Sequence, residues 1–177
     1  MDQKMRKPFW VVTAAVGLVT ATALPALAVD TVVTFSITTA GLTISAPGTV
    51  NLGSVESGTP NISGQIGPVT VTDERATLNG SWTATAISTD FTTGGGTEPE
   101  TIPNINVSYS PGEATATTGE GTFTPGPGGV LNIPRVAFTG TALTGDNTAT
   151  WNPTLTVTIP PAAVGGTYSG IITQSVG

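Results

Sequence analysis

The feature that most constrains the fold of this chain is a strict two-residue alternation over residues 150–159. Its odd positions carry Trp151, Pro153, Leu155, Val157 and Ile159, whereas its even positions carry only threonine or asparagine. Because successive side chains of a β-strand point to opposite faces, this run predicts a strand with one face in a core and a threonine-rich face toward water. Threonine suits such a surface, since its branched Cβ packs well on a pleated sheet.

Shorter alternating runs recur after residue 28, and no amphipathic helical stretch does. They lie at 32–37, 69–72, 82–88, 105–109, 135–138 and 168–176. Clusters of Gly, Pro, Asn and Asp separate them, and we interpret Gly145-Asp146-Asn147 as a hairpin turn. The stretches 92–103 and 124–129 are expected to be long surface loops. The pattern predicts an all-β fold, an antiparallel, Greek-key-like β-sandwich of about eight to ten strands.

The first 28 residues have the order of a secretory signal peptide. Lys4, Arg6 and Lys7 precede an apolar stretch at 9–24, and Pro25 and Ala26-Leu27-Ala28 follow it. Small residues at 26 and 28 predict cleavage before Val29. A retained anchor is the alternative, but the apolar stretch is short for a span of about 20 residues. We therefore predict a signal peptide at 1–28, one sandwich domain at 29–177, a secreted bacterial protein and no membrane span after cleavage.

The net charge of the mature chain limits the kinds of partner that it can bind. Three of the five basic residues lie in the predicted signal peptide, so that only Arg75 and Arg135 remain against ten carboxylates. Such an acidic surface repels phosphate groups. The composition therefore argues against nucleic acid and anionic membranes as partners.

Few residues that carry chemistry are present. The chain has no histidine or cysteine, and no lysine follows residue 28, which removes the usual bases, nucleophiles and zinc ligands. Glycoside cleavage needs two carboxyl groups about 5 to 9 Å apart, and Asp73, Glu74 and Asp90 could supply a pair. Ten acidic residues produce such pairs by chance, however. We expect no catalytic residue and no enzyme, with a secreted hydrolase as the disfavoured alternative.

Metal binding and cofactors are not expected either. Calcium prefers oxygen ligands, which are plentiful, but the acidic residues are scattered and form no D-x-D-x-D-G loop. We therefore predict that the domain folds without metal, disulfide or cofactor.

Each of the two tryptophans of the mature chain lies on the same predicted strand face as apolar residues. Trp82 shares its face with Ala84 and Ala86, and Trp151 shares its face with Leu155. This pattern predicts that both rings fill the sandwich interior. The alternative is that they are exposed platforms on which the apolar face of a sugar stacks.

The surroundings of both tryptophans resemble the motifs of the WxL family of bacterial surface proteins. The resemblance covers most of 41–177 and is carried by Val50-Asn51-Leu52-Gly53-Ser54-Val55, Val69-Thr70-Val71-Thr72-Asp73-Glu74-Arg75, Gly80-Ser81-Trp82-Thr83-Ala84-Thr85-Ala86, Ser88-Thr89-Asp90-Phe91 and Ala149-Thr150-Trp151-Asn152-Pro153-Thr154-Leu155. Ala84 stands where the family has leucine, and three residues separate Trp151 from Leu155. Neither tryptophan therefore stands in a literal W-x-L.

The resemblance implies a function at the cell surface. WxL proteins are held non-covalently on the bacterial wall, with peptidoglycan as the proposed ligand, and the matching positions here are Asp73, Arg75, Trp82, Trp151 and Leu155, as core or wall-binding residues. We expect an exported, non-catalytic protein associated with cell-wall polymer or with other surface proteins. The alternative is a structural subunit that self-associates by strand exchange, because residues 30–38 form an alternating run directly after the predicted cleavage site.

Overall fold

The structure, a computed structural model, describes residues 31–177. The predicted signal peptide and its cleavage site lie outside these residues. Contacts divide the chain into two units, Met1–Ser36 and Ile37–Gly177, and every strand and helix described below belongs to the second unit.

The second unit contains eleven strands and two 3-10 helices of three residues each within the described part of the chain. The strands are β1 (Leu42–Ser45), β2 (Asn61–Gln65), β3 (Val69–Ser88), β4 (Phe91–Thr92), β5 (Thr101–Ile102), β6 (Val107–Ser110), β7 (Ala114–Pro125), β8 (Gly129–Val130), β9 (Arg135–Trp151), β10 (Thr154–Thr158) and β11 (Ile172–Val176). The helices are Glu98–Glu100 and Asn104–Asn106. Neither of these helices is long or apolar enough to cross a membrane.

All pairings between these strands are antiparallel, which confirms the predicted all-β, sandwich-like class. The first sheet has the order β1-β3-β9-β7, with β11 also paired to β3, and the second has the order β2-β10-β6-β8. A small third sheet joins β4 to β5. The stretches predicted as loops at 92–103 and 124–129 are shorter than expected, because β5 and the first helix lie in one and β7 continues to Pro125 in the other.

The long pair β3–β9 is the centre of the first sheet, and it is irregular in its middle. The register shifts between Asp73 and Thr77, and again on both sides of Gly80. Ala76 and Asn79 have positive φ angles of 50° and 57°. On the opposite strand, Gly145 has a φ of 69°. These bulges merge what the sequence showed as two runs, 69–72 and 82–88, into one bent strand of 20 residues.

The predicted hairpin turn at residues 145–147 is wrong. All three residues lie inside β9, with Gly145 opposite Thr77 and Asn147 opposite Asp73. Gly-Asp-Asn indicates left-handed backbone, and Gly145 does adopt it. The left-handed residue serves a bulge within a continuous strand rather than a chain reversal.

In the alternating run at 150–159, the predicted positions are buried, but the run is not one continuous strand. Trp151, Pro153, Leu155 and Val157 are all buried, as the alternation predicts. However, the run divides at 152–153, where β9 ends and β10 begins in the second sheet. Proline has no N–H to donate to a ladder, so a strand ends there readily.

The core lies between the two large sheets and draws side chains from both. The first sheet contributes Val69, Val71, Trp82, Ala84, Ala86, Ala137, Phe138, Leu143, Ala149 and Trp151, and the second contributes Val107, Tyr109, Leu155 and Val157. Their burial follows the two-residue period of each strand.

The strand predicted at 32–37 is absent. Residues 31–41 have no assigned secondary structure, and Val32, Val33, Phe35 and Ile37 are 77–88% exposed. An alternating run shows which side chains share a face, but a strand also needs a neighbour for its backbone groups. No strand of the described chain pairs with this segment.

Candidate functional site

Trp82, from the first family motif, lies in the interior at the bulged middle of β3. Its side chain is 2% exposed, and its ring is tilted against Phe123 with 6.2 Å between ring centroids. A Cβ atom added at Gly140 would lie 2.6 Å from the Trp82 Cε2 atom, so glycine is required for the ring to fit. The indole Nε1–H donates to Asn147 Oδ1 at 3.1 Å.

Asp73 and Arg75 continue this network rather than forming a separate site. The fully buried Asp73 carboxylate accepts from Arg75 Nε at 2.8 Å and Nη2 at 2.9 Å, and also from the Asn147 amide at 3.4 Å. The hydrogen bonds from Arg75 lower the pKa of Asp73 and outweigh its burial, which acts in the opposite direction. Arg75 Nη2 donates to the Ser81 carbonyl as well, at 2.9 Å. Arg75 thus spans the bulged part of β3 and holds it closed.

Trp151, from the second motif, is enclosed by a different set of neighbours. It is 0% exposed and stacks on Phe138 with 4.8 Å between centroids and 19° between ring planes. Its Nε1–H donates to the Tyr109 hydroxyl at 2.9 Å, and that hydroxyl donates to Gln174 Oε1 at 3.2 Å. Burial raises the pKa of Tyr109 to about 12. Leu155 is buried on β10, in the second sheet.

The motif residues therefore belong to two buried clusters, one around Trp82 and one around Trp151. Neither ring presents a face to a ligand in this structure. Sequence reasoning missed Asn147 and Tyr109, the partners of the two indoles. Asn147 shares the parity of Ala149 and Trp151, so a polar residue on the inner face was visible, but the hairpin interpretation concealed it.

The three carboxylates weighed for glycoside cleavage lie in different surroundings. Asp73 is buried and engaged by Arg75, whereas Glu74 points to the exposed side of β3. Asp90 is exposed, and its Oδ1 accepts from the Asn104 backbone N–H at 2.7 Å. In the described part of the chain, no three His, Cys, Asp or Glu residues lie close enough to hold a metal ion.

One concave surface of the described chain is a groove of about 850 Å³ at one end of the sandwich. Its two rims are the irregular stretches 50–60 and 159–169, and Ile62, Phe91, Ile102 and Val157 lie between them. The lining includes a single charged residue, Glu56, and Val50, Val55 and Val164 are 43–45% exposed. We call this surface the apolar groove.

The outer face of the first sheet carries two rows of hydroxyl groups, which we call the hydroxyl patch. Strand register places Thr43, Thr72, Thr148 and Thr118 side by side in one row, and Ser45, Thr70 and Thr150 in the next. Two cross-strand pairs are hydrogen-bonded, Thr70 with Thr150 at 2.9 Å and Thr118 with Thr148 at 2.7 Å. All seven side chains are exposed or half-buried. The patch is therefore uncharged, polar and accessible.

Comparison with known proteins adds little to this picture. No protein-family model matches the sequence, and no curated protein matches it. Among solved structures, the chain is similar to a family 123 glycoside hydrolase from Clostridium perfringens, with 18% sequence identity and a TM-score of 0.34. The match covers 66% of this chain and 18% of that enzyme. A likeness of this size assigns neither fold nor function.

Proposed function

We propose that this chain is an exported, non-catalytic protein that adheres without covalent attachment to a neutral glycan of the bacterial cell wall, and that the hydroxyl patch is the contact surface. The observation that carries the proposal is the alignment of seven hydroxyl groups on one open sheet face. The resemblance to WxL proteins supports the location at the wall. It does not support a direct role of the tryptophan rings, because both are buried.

The chemistry of the hydroxyl patch suits a polymer of sugars. Each threonine or serine hydroxyl both donates and accepts a hydrogen bond, as sugar hydroxyls do. Neighbouring strands place the hydroxyls of one row about 4.8 Å apart, and the two rows are separated by about 6.8 Å along each strand. Threonine χ1 angles are restricted, so the array is preorganised before binding. A repeating polymer can therefore make the same contact several times.

The charge of the chain favours a neutral stretch of glycan over an anionic wall polymer. The seven patch residues carry no charge, and the acidic side chain of Glu74 lies two residues from Thr72 on the same face of β3. An anionic polymer laid across the patch would meet that carboxylate and the negative field of the whole chain. We therefore expect the glycan backbone, rather than phosphate-bearing wall polymers, to be bound.

A non-catalytic role agrees with the state of the acidic groups. The buried carboxylate of Asp73 is held ionised by Arg75, so it is unsuited to act as a general acid. The hydroxyl patch itself contains no acid or base.

Co-sedimentation with purified peptidoglycan tests the proposal. Thr43, Thr72 and Thr148 are each changed to valine, which keeps the branched shape and removes the hydroxyl. Three lost hydrogen bonds of about 0.5 kcal/mol each should weaken binding roughly tenfold. The matched control changes Thr154, Thr156 and Thr158, which alternate with buried residues on β10 of the opposite sheet. Equal binding by the two triple variants, or no sedimentation of the unaltered protein, contradicts the proposal.

A further inference from the structure

Seven of the eleven exposed large apolar side chains of the described chain lie at two places, and the other four, Leu78, Ile105, Ile133 and Ile171, lie elsewhere. One is the N-terminal segment 32–38, where Phe35 and Val33 are 86% and 81% exposed. The other is the rim of the apolar groove, with Val50, Val55 and Val164. Large exposed apolar patches in a water-soluble domain commonly mark interaction sites. The two surfaces have complementary shapes, since one is an extended chain and the other is a concave channel.

The segment has the pattern of an edge strand without a partner. Val33, Phe35 and Ile37 alternate with Thr34 and Ser36, so in extended form three apolar side chains lie on one side within about 13 Å. The backbone N–H and C=O groups of residues 31–38 enter no strand pairing. A segment of this kind gains both apolar burial and backbone hydrogen bonds when it adds to another protein surface.

The apolar groove provides apolar surface that the segment can cover. Ile102 and Val157 form a buried apolar floor, and Phe91 is half-buried beside them. Both rims, 50–60 and 159–169, are outside strands for nearly their whole length, so irregular backbone borders the channel. Residues 31–38 carry no charge, and Glu56 is the one charged lining residue, so docking desolvates few charges.

We propose that residues 32–38 of one copy occupy the apolar groove of a second copy, with Val33, Phe35 and Ile37 directed toward the floor. The inserted segment and the groove that receives it are different surfaces, so the contact is heterologous. Each copy of a pair therefore keeps either a free segment or a free groove. Such contacts propagate into chains or close into rings. This association goes beyond wall adherence, and no residue of the hydroxyl patch lines the groove.

Cysteine cross-linking tests the contact directly, because the chain contains no cysteine of its own. Phe35→Cys in one tagged copy is mixed with Val164→Cys in a second, differently tagged copy, and the mixture is mildly oxidised. A disulfide between the two tags is expected. The matched control replaces Val164→Cys with Leu78→Cys, an exposed apolar position on β3 outside the groove, and should give no cross-link above background. Equal cross-linking of both pairs overturns the proposal.

A double variant, Phe35→Cys with Val164→Cys in one chain, separates exchange between copies from docking within one copy. Cross-linked ladders are expected, and a cross-linked monomer alone would overturn the proposal.

Analytical ultracentrifugation of the cysteine-free protein provides a second test of the association. Phe35→Asp should shift the population to monomer at least tenfold, whereas Ser36→Asp, on the other side of the segment, should shift it much less. Assembly that survives Phe35→Asp contradicts the proposal, and threonine-to-valine changes in the hydroxyl patch should leave assembly intact.

Discussion

Trp82 and Trp151 are both buried, yet the two rings are held by different chemistry. Trp151 lies against Phe138 in the apolar core, and its indole N–H reaches a neutral pair, Tyr109 and Gln174. The N–H of Trp82 leads through Asn147 to the Asp73–Arg75 ion pair. One cluster is neutral throughout, whereas the other ends in a charge pair whose arginine is 33% exposed.

The difference follows from the place of each ring along the β3–β9 pair. Trp151 is at the regular end, opposite Val69, where both sheets supply apolar side chains. Trp82 is at the bulged middle, where backbone irregularity interrupts the ladder. Polar side chains replace the missing ladder contacts there. Both motif tryptophans are therefore buried, but the stability of the cluster around each ring should depend on different conditions.

The largest expected effect is loss of either ring. Trp82→Ala and Trp151→Ala should each lower the free energy of unfolding by about 3 to 5 kcal/mol, because a large cavity replaces a packed ring. That is a large part of the roughly 5 to 15 kcal/mol available to a domain. Chemical denaturation measures it, and Trp→Phe changes should cost less. A stable alanine variant that no longer binds the wall would instead make that ring a binding platform.

Alkaline pH should affect the Trp151 cluster selectively. Tyr109 has its pKa raised from about 10 to about 12 in the fold, so its contribution is complete below pH 10 and is lost as the pH rises to 12. Two pKa units correspond to about 2 to 3 kcal/mol. Melting midpoints followed from pH 9 to 12 should fall more steeply for the unaltered protein than for Tyr109→Phe. Parallel curves would show that burial of this hydroxyl has no such effect.

Among these substitutions, Asp73→Asn should lower the free energy of unfolding least. Its effect should depend on acidic pH, whereas that of the Trp151 cluster depends on alkaline pH. At pH 7 the change weakens the charge-assisted bonds to Arg75 and should cost about 1 to 2 kcal/mol. The pKa of Asp73 is lowered in the fold, so its contribution is present above the ordinary value of 3.8 and is lost as pH falls below it. The two proteins should therefore converge in stability in acid. Glu74→Gln, at an exposed neighbour, is the control and should change stability by less than about 0.5 kcal/mol.

Local pattern predicted the faces of individual side chains well. The alternation at 151–157 placed Trp151, Leu155 and Val157 on the buried side, and all three are there. Parity is a local property of extended backbone, so ten residues are enough to read it. The break at 152–153 was not predicted, because the apolar odd positions suggested one continuous strand, although Pro153 cannot donate to a ladder.

Partners across strands were not predictable in the same way. The hydroxyl patch exists because Thr43, Thr72, Thr148 and Thr118 come into register, and these residues are far apart in the chain. The same limitation explains the error at 32–37, where the alternation is real but no described strand pairs with it. Asn147 was missed because a turn and a bulge use the same left-handed residues.

The central position of β9 in the first sheet has a consequence for the timing of folding. β9 lies between β3 and β7, and its last residue, Trp151, pairs with Val69, about 80 positions earlier. At translation rates of roughly 5 to 20 residues per second, several seconds separate the synthesis of these partners. Pairing of such distant strands is itself slow, in the range of milliseconds to seconds. The first sheet therefore cannot be completed until β9 has been synthesised, and until then β3 and β7 lack the strand that joins them.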